Sequence, residues 1–275
     1  MTTLLIRLEG PMQSWGLQSR FGRRDTGLEP SKSGVVGLLC AALGRPRDAD
    51  LSDLASLRMG VRVDRPGALQ SDYHTVGGAS SKRKTPYGVP PYGVATFDGS
   101  DPRPAVTLRF YLADASFLVG LEAATPAQET LLTQLASALA HPIWPLFLGR
   151  KAFVPALPVH LPDGHSGLRP LPLEQALRDY PWPEPRDGEP ATKVPDRLRL
   201  VIEEPSTPST MSSVSRVSGE SRMDVPVSFQ PLDRRYQRRF VQTTFLDRPM
   251  DRPPSAPPPN AADPDSLDSS DREEE

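Results

Sequence analysis

The tetrad Asp72-Tyr73-His74-Thr75 carries the most suggestive chemistry in the chain. A histidine beside a tyrosine can act as general acid or base when a ribose 2′-hydroxyl attacks its own phosphodiester. That reaction needs a second group to complete the acid and base pair. The other histidines, His141, His160 and His165, lie next to prolines or in loop-like stretches, with no carboxylate or cysteine pattern beside them that would make a metal site. A hydrogen-bonding role for His74 is the expectation. No catalytic residue, metal or cofactor is assigned, and a metal-independent endoribonuclease working through His74 stays as the alternative.

Three other stretches suit a polyanion. Pro30-Ser31-Lys32-Ser33-Gly34 stands where a helix should open, so free N–H groups, the positive end of the dipole and a lysine meet at a place that could hold a phosphate. A serine cap with a solvated lysine is the plainer account. Gly27 to Ser33 nearly spells a nucleotide phosphate loop. There Ser31 replaces the second glycine, Pro30 removes an N–H and Glu29 repels phosphate, so nucleoside triphosphate binding is rejected. Trp15 lies among Gln13, Ser14 and Gly16, with Arg20, Arg23 and Arg24 following. An aromatic plate with amides and cations is a setting for unpaired bases, although a tryptophan anchoring a loop to the core fits the same residues. Lys82-Arg83-Lys84, followed by Tyr87 and Tyr92, interleaves cations with stackable rings, against the alternative of a solvated charge run.

Charge is unevenly distributed. The formal net charge is −2, but residues 251–275 hold eight carboxylates against Arg252 and Arg272, which leaves residues 1–250 at +4. Such a modestly basic body is compatible with nucleic acid without requiring it. From Pro249 onward the composition predicts disorder, and the acidic stretch could screen the body from non-specific RNA. The single cysteine, Cys40, rules out an intrachain disulfide framework or a cysteine-based metal site and points to a reducing cytoplasm. No apolar run approaches the roughly 18 residues of a membrane span, and the first residues lack an export-signal pattern. A soluble cytoplasmic chain with no membrane partner is expected.

The elements that must position these groups are legible as periodicities. Leu4, Ile6 and Leu8 alternate as a strand, and Val35, Leu38, Leu39, Ala42 and Leu43 recur at helical spacing up to Gly44. A short amphipathic segment with Leu51, Leu54 and Leu57 leads into a strand over 59–65, where Val61 and Val63 alternate with Arg62 and Asp64. Residues 71–104, rich in glycine, proline, serine and base, cannot supply a core and should project. Val106 to Leu112 reads as a strand that continues through Phe117 to Leu121 after a bend at 114–116. Thr125, Pro126 and Gln128 form the signature of a helix start, with Leu131, Leu132, Leu135 and Leu139 as its buried stripe. Short strands follow around 146–153, 198–203, 223–229 and 238–245, between connections marked by clusters of the 33 prolines. The order predicts an α+β chain, a ferredoxin-like βαββαβ body over 1–160 with a projecting hairpin thumb at about 76–105. A small β-rich extension over 161–248 and the tail 249–275 complete it.

Four stretches together resemble the CasD family, the family-five subunit of subtype I-E CRISPR complexes. They are Arg7-Leu8-Glu9-Gly10-Pro11-Met12-Gln13-Ser14-Trp15-Gly16, the helix opening Pro30 to Gly34 running on to Gly44, Asp72 to Val76, and Pro145-Leu146-Phe147-Leu148-Gly149-Arg150-Lys151. The likeness covers most of residues 1–155, is weak over 160–220 and returns at 234–241. It implies an RNA-recognition-type fold whose thumb grips the 5′ handle of the guide RNA (crRNA) without cutting it, beside the CasC backbone subunit and the large subunit CasA. On that reading Lys32, Arg150, Lys151 and the helix N–H groups of Ser31, Ser33 and Gly34 hold phosphates. Trp15 and Tyr73 offer faces to bases, and Gln13, Gly16, Arg20, Arg24, His74, Thr75, Lys82, Arg83 and Lys84 complete the contact surface. The serine-rich 205–221 and the acidic tail have no counterpart in the resemblance.

Overall fold

Alternating apolar residues make β1 (Thr2–Glu9), and both its faces are covered, so Leu4, Leu5, Ile6 and Leu8 are all buried. The computed structural model describes residues 1–16, 22–76, 105–186, 189, 194–205 and 219–248. Arg20, the thumb's Lys82, Arg83 and Lys84, the stretch 206–218 and the tail 249–275 lie outside the described residues.

The architecture mixes α and β. One antiparallel sheet of seven strands runs in the order β10 (Glu220–Ser228), β11 (Arg235–Asp247), β9 (Arg197–Glu203), β4 (Arg58–Arg65), β7 (Ser116–Ala123), β1 and β8 (Leu168–Arg169). A second sheet pairs β5 (Ala68–Val76) with β6 (Ala105–Ala113) as the base of a hairpin. β2 (Met12–Gln13) and β3 (Arg23–Arg24) lie against β6. The expected bend is present: Asp114 adopts φ +63°, and β6 and β7 part there into different sheets.

Helices cover both faces of the large sheet. α1 (Lys32–Leu43), α2 (Ser52–Ser56) and α3 (Pro126–Ala140) lie on one side, where Leu39 and Leu135 join Ile6, Val61 and Val119 in the main core. Gly44 closes α1 at φ +68°, returning its N–H to Ala41. The capping box of Thr125 and Gln128 opens α3 as its residues predict. The other face is covered by α4 (Leu173–Asp179), a short helix not among the elements expected from the sequence; Leu173, Ala176 and Leu177 pack there on Leu5, Leu118, Leu200 and Ile202. Glu122 accepts from the Leu173 N–H at 2.8 Å, and Arg62 donates to the carbonyls of Leu177 and Tyr180 at 2.9 and 2.7 Å. Acid at the start and arginine at the end match the helix dipole. Arg62 and Asp64 are consequently buried as a pair instead of facing water, and burial raises the Asp64 pKa against the pull of Arg62.

Residues 146–153 form no strand. Pro145 and the backbone of Gly149 (φ +93°) make an irregular loop, and the strand beside β1 is instead Leu168–Arg169, with an isolated bridge from Ile6 to His160. No helix among the described residues is long and apolar enough to cross a membrane.

Candidate nucleic-acid interface

Trp15 is 1% exposed and belongs to the core. Its Nε1 donates to the Gln13 Oε1 at 3.2 Å, while the Gln13 amide donates to the carbonyls of Leu8 and Ala115 at 3.0 and 2.8 Å. Its ring lies on the first turn of α1, where a Cβ on Gly34 would come within 2.8 Å of Trp15 Cε3. Both residues therefore build the loop from inside; neither presents a free face or amide, and the base-stacking expectation for Trp15 is corrected to the anchoring one.

The start of α1 is also spoken for. Ser31 is the cap, accepting from the Gly34 N–H at 3.3 Å. The Lys32 N–H donates to Asp224 Oδ2 at 2.8 Å, so the anion at the positive end of the helix is the protein's own. The Lys32 side chain, 3% exposed, donates to both Glu203 oxygens at 2.8 and 2.9 Å. Arg239 clasps Asp224 at 2.7 and 2.8 Å and approaches Glu203 at 3.5 Å. Burial lowers the Lys32 pKa despite Glu203, while Arg239 and the Lys32 N–H hold Asp224 below its ordinary value against the upward push of burial. Lys32 thus cannot grip an external phosphate. Its role is to fasten β9, β10 and β11 to α1.

What remains open beside α1 is a groove of about 690 Å³. Ser14 to Gly16, Ser33 and Gly34 line one part, Gly149 and Lys151 another, and Phe229, Arg234 and Tyr236 a third. Three of the four motif stretches, far apart in the chain, therefore meet at one place. Arg45, Arg47, Lys151 and Arg234 bring cations, Trp144 and Tyr236 bring rings, and among the described residues no Asp or Glu lines it. Cys40 also lines it, its thiol pushed up to about 11 by burial, so it stays protonated at neutral pH.

The loop carrying Arg150 and Lys151 is seated by Gly149. A Cβ there would collide with the Ser14 carbonyl oxygen, and the Ser14 N–H donates to Leu148 at 3.1 Å. Arg150 lies over the Phe153 ring at 5.5 Å and reaches the Arg24 carbonyl at 3.4 Å. Burial, then the charges of Arg109 and Arg24, lower its affinity for its proton, the mark of like charges held together. β3 sets Arg24 opposite Arg109 on β6, and Arg109 stands opposite Asp72 on β5.

This register divides the DYHT tetrad. Successive strand residues point to opposite faces. Asp72 and His74, 3.7 Å apart, share a face with Arg109, whereas Tyr73, 69% exposed, and Thr75 share the other with Leu108 and Val106. Reading Tyr73 and His74 as one site is thereby corrected. Arg45, Arg47, Arg109, Trp144, Arg234 and Tyr236 were not singled out from sequence; Arg45-Pro46-Arg47 directly after the helix-stopping Gly44 was the available signal.

With this geometry in hand, the comparisons are consistent. Residues 3–242 match the family model described as "CRISPR-associated protein (Cas_Cas5)". The "CRISPR system Cascade subunit CasD" of Escherichia coli (strain K12) is 35% identical over 161 residues, 54% of this chain and 65% of that protein, just under two thirds of its length. A solved structure described as "Crystal structure of Cas protein" is 40% identical, with a TM-score of 0.62 over 89% of this chain and 95% of that one. Another, described as "CRISPR RNA-guided surveillance complex", is 35% identical with a TM-score of 0.65 over 90% and 91%. Since the family model spans most of the chain, including every residue that lines the groove, the chain belongs to the CRISPR-associated Cas5 family.

Proposed function

We propose that the chain is a non-catalytic RNA-binding subunit of a CRISPR surveillance complex that holds the 5′ handle of the guide RNA. The observation that carries this reading is the cationic groove on which three motif stretches converge, lined by no acid among the described residues and continued by the cluster of Arg24, Arg109 and Arg150 at the hairpin base. Phosphates fit Lys151, Arg47, Arg234 and Arg150, and the rings of Trp144 and Tyr236 suit splayed bases. The strand order β4, β7, β1, β8, with α1 and α3 on one face, supports the ferredoxin-like body. In this reading the expected boundary at 160 shifts to just beyond β8, so that the body with its thumb includes Leu168–Arg169 and the residues from there to 248 form the extension. The subunit works in the cytoplasm beside CasC and CasA.

The test is to incubate the purified chain, in EDTA, with labelled CRISPR repeat RNA and follow retention and cleavage. Salt-sensitive retention of intact RNA is expected. Arg150→Glu and Lys151→Glu should each weaken it and lower the salt slope by about 0.7 per lost phosphate contact. Retention unchanged in both variants would sink the assignment. The proximity of His74 and Asp72 on one face supports the second reading, an endoribonuclease; cleavage that disappears in His74→Ala without loss of binding would replace the first reading with it.

A further inference from the structure

The chain's charges are sorted to an unusual degree. Arg45 in the groove is paired with Asp53, but Arg47, Lys151 and Arg234 are exposed and carry no ion pair among the described residues. Excess acid lies elsewhere: residues 251–275 hold eight carboxylates and two arginines, seven of those carboxylates between Asp263 and Glu275. The family match stops at residue 242, so this acidic segment is outside what the family shares and calls for an account of its own.

We propose that the segment 263–275 docks in the groove beside α1 and competes there with RNA, so that the free chain holds RNA of the wrong sequence weakly. The competition rests on the reading of that groove as the RNA site; the docking does not. Charge complementarity is the first argument. Carboxylates are good partners for arginine forks, and apart from Arg45 the groove cations Arg47, Lys151 and Arg234 have no acid to satisfy them among the described residues. Reach is the second. Arg234 and Tyr236 line the groove at the start of β11, and the strand ends at Asp247, about 40 Å away at roughly 3.3 Å per residue. Asp263 lies far enough beyond Asp247 to span up to about 53 Å, so the acidic residues can return to the groove. A tether of this kind gives an effective concentration of about 1 mM. A segment whose own Kd is about 100–500 micromolar then lowers apparent RNA affinity about threefold to tenfold, and salt erodes the effect because the contacts are exposed.

The experiment compares the full chain with a full-length variant in which Asp263, Asp265, Asp268, Asp271, Glu273, Glu274 and Glu275 are replaced by Asn or Gln. Binding of an unstructured RNA of unrelated sequence is read by fluorescence anisotropy at about 50 mM and about 300 mM salt. The neutralised variant should bind about threefold to tenfold more tightly at low salt, the gap should close at high salt, and free peptide 251–275 should restore weak binding. Equal affinities at low salt overturn the competition. Docking is read separately, without RNA, from binding of labelled peptide 251–275 to the neutralised variant. Loss of that binding in Arg47→Glu/Lys151→Glu/Arg234→Glu supports the groove, and undiminished binding overturns it. Handle RNA that ignores the same three reversals, while the peptide does not, would overturn the RNA reading of the groove and leave the docking in place.

Discussion

Two charged regions adjoin α1, and they differ in what answers their charge. Inside, Lys32, Glu203, Arg239 and Asp224 form a closed set in which each cation faces a carboxylate, and all four side chains are buried. Outside, Arg47, Lys151 and Arg234 stand in water around a groove that no carboxylate lines among the described residues. Attraction in the low-dielectric interior is strong but is largely consumed by desolvation, so the inner set acts as a fastener. The outer cations have lost little hydration and keep their field for a ligand. A lysine in a basic motif is thus no guide to an open binding site until its partner is known: Lys32 is held by Glu203, whereas Lys151 is exposed with no ion pair among the described residues.

The contrast can be broken from the inside first. Asp224→Ala strands Arg239 and the Lys32 N–H, and should cost about 3–5 kcal/mol in urea unfolding. A loss below about 1 kcal/mol would mean that water already reaches the set. The pH dependence sharpens this. Asp224 is held below its ordinary 3.8, so its stabilisation is present above the unfolded value and is lost as pH falls through the lower folded one. Stability of the native chain should accordingly fall more steeply below about pH 4 than that of Asp224→Asn. Next in size is Gly149→Ala, which forces a positive-φ backbone and a clash with Ser14; about 1–3 kcal/mol of strain should displace Arg150 and Lys151 and weaken RNA retention as well. Arg47→Glu with Arg234→Glu should reverse the pattern, leaving stability within about 0.5 kcal/mol while lowering RNA affinity about tenfold at low salt. Smallest of all, His74→Ala should weaken RNA binding more than Thr75→Ala, because only His74 shares the Arg109 face. Equal effects would contradict the division of the hairpin into two faces.

Local chemistry was the readable part. The start of α3 was legible because Thr125, Pro126 and Gln128 cap it within four residues, and the stop at Gly44 because its left-handed backbone suits glycine. The candidate site was legible as motifs but not as an assembly. Glu203 is 171 residues from Lys32 and Asp224 is 192, distances over which spacing carries no information. α4 escaped notice for a related reason. Leu173, Ala176 and Leu177 do stand at helical spacing, but seven residues are too short a stretch to tell a helix from a loop, and its ends are held by Glu122 and Arg62 on distant strands.

β10 is an outer strand of the large sheet among the described residues, and it carries Pro226 and two breaks in its register with β11. A strand that lacks one N–H and buckles twice offers no flat ladder to a newcomer. At the high concentrations of overexpression the chain should resist stacking edge to edge into filaments, and replacing Pro226 with valine should remove much of that protection.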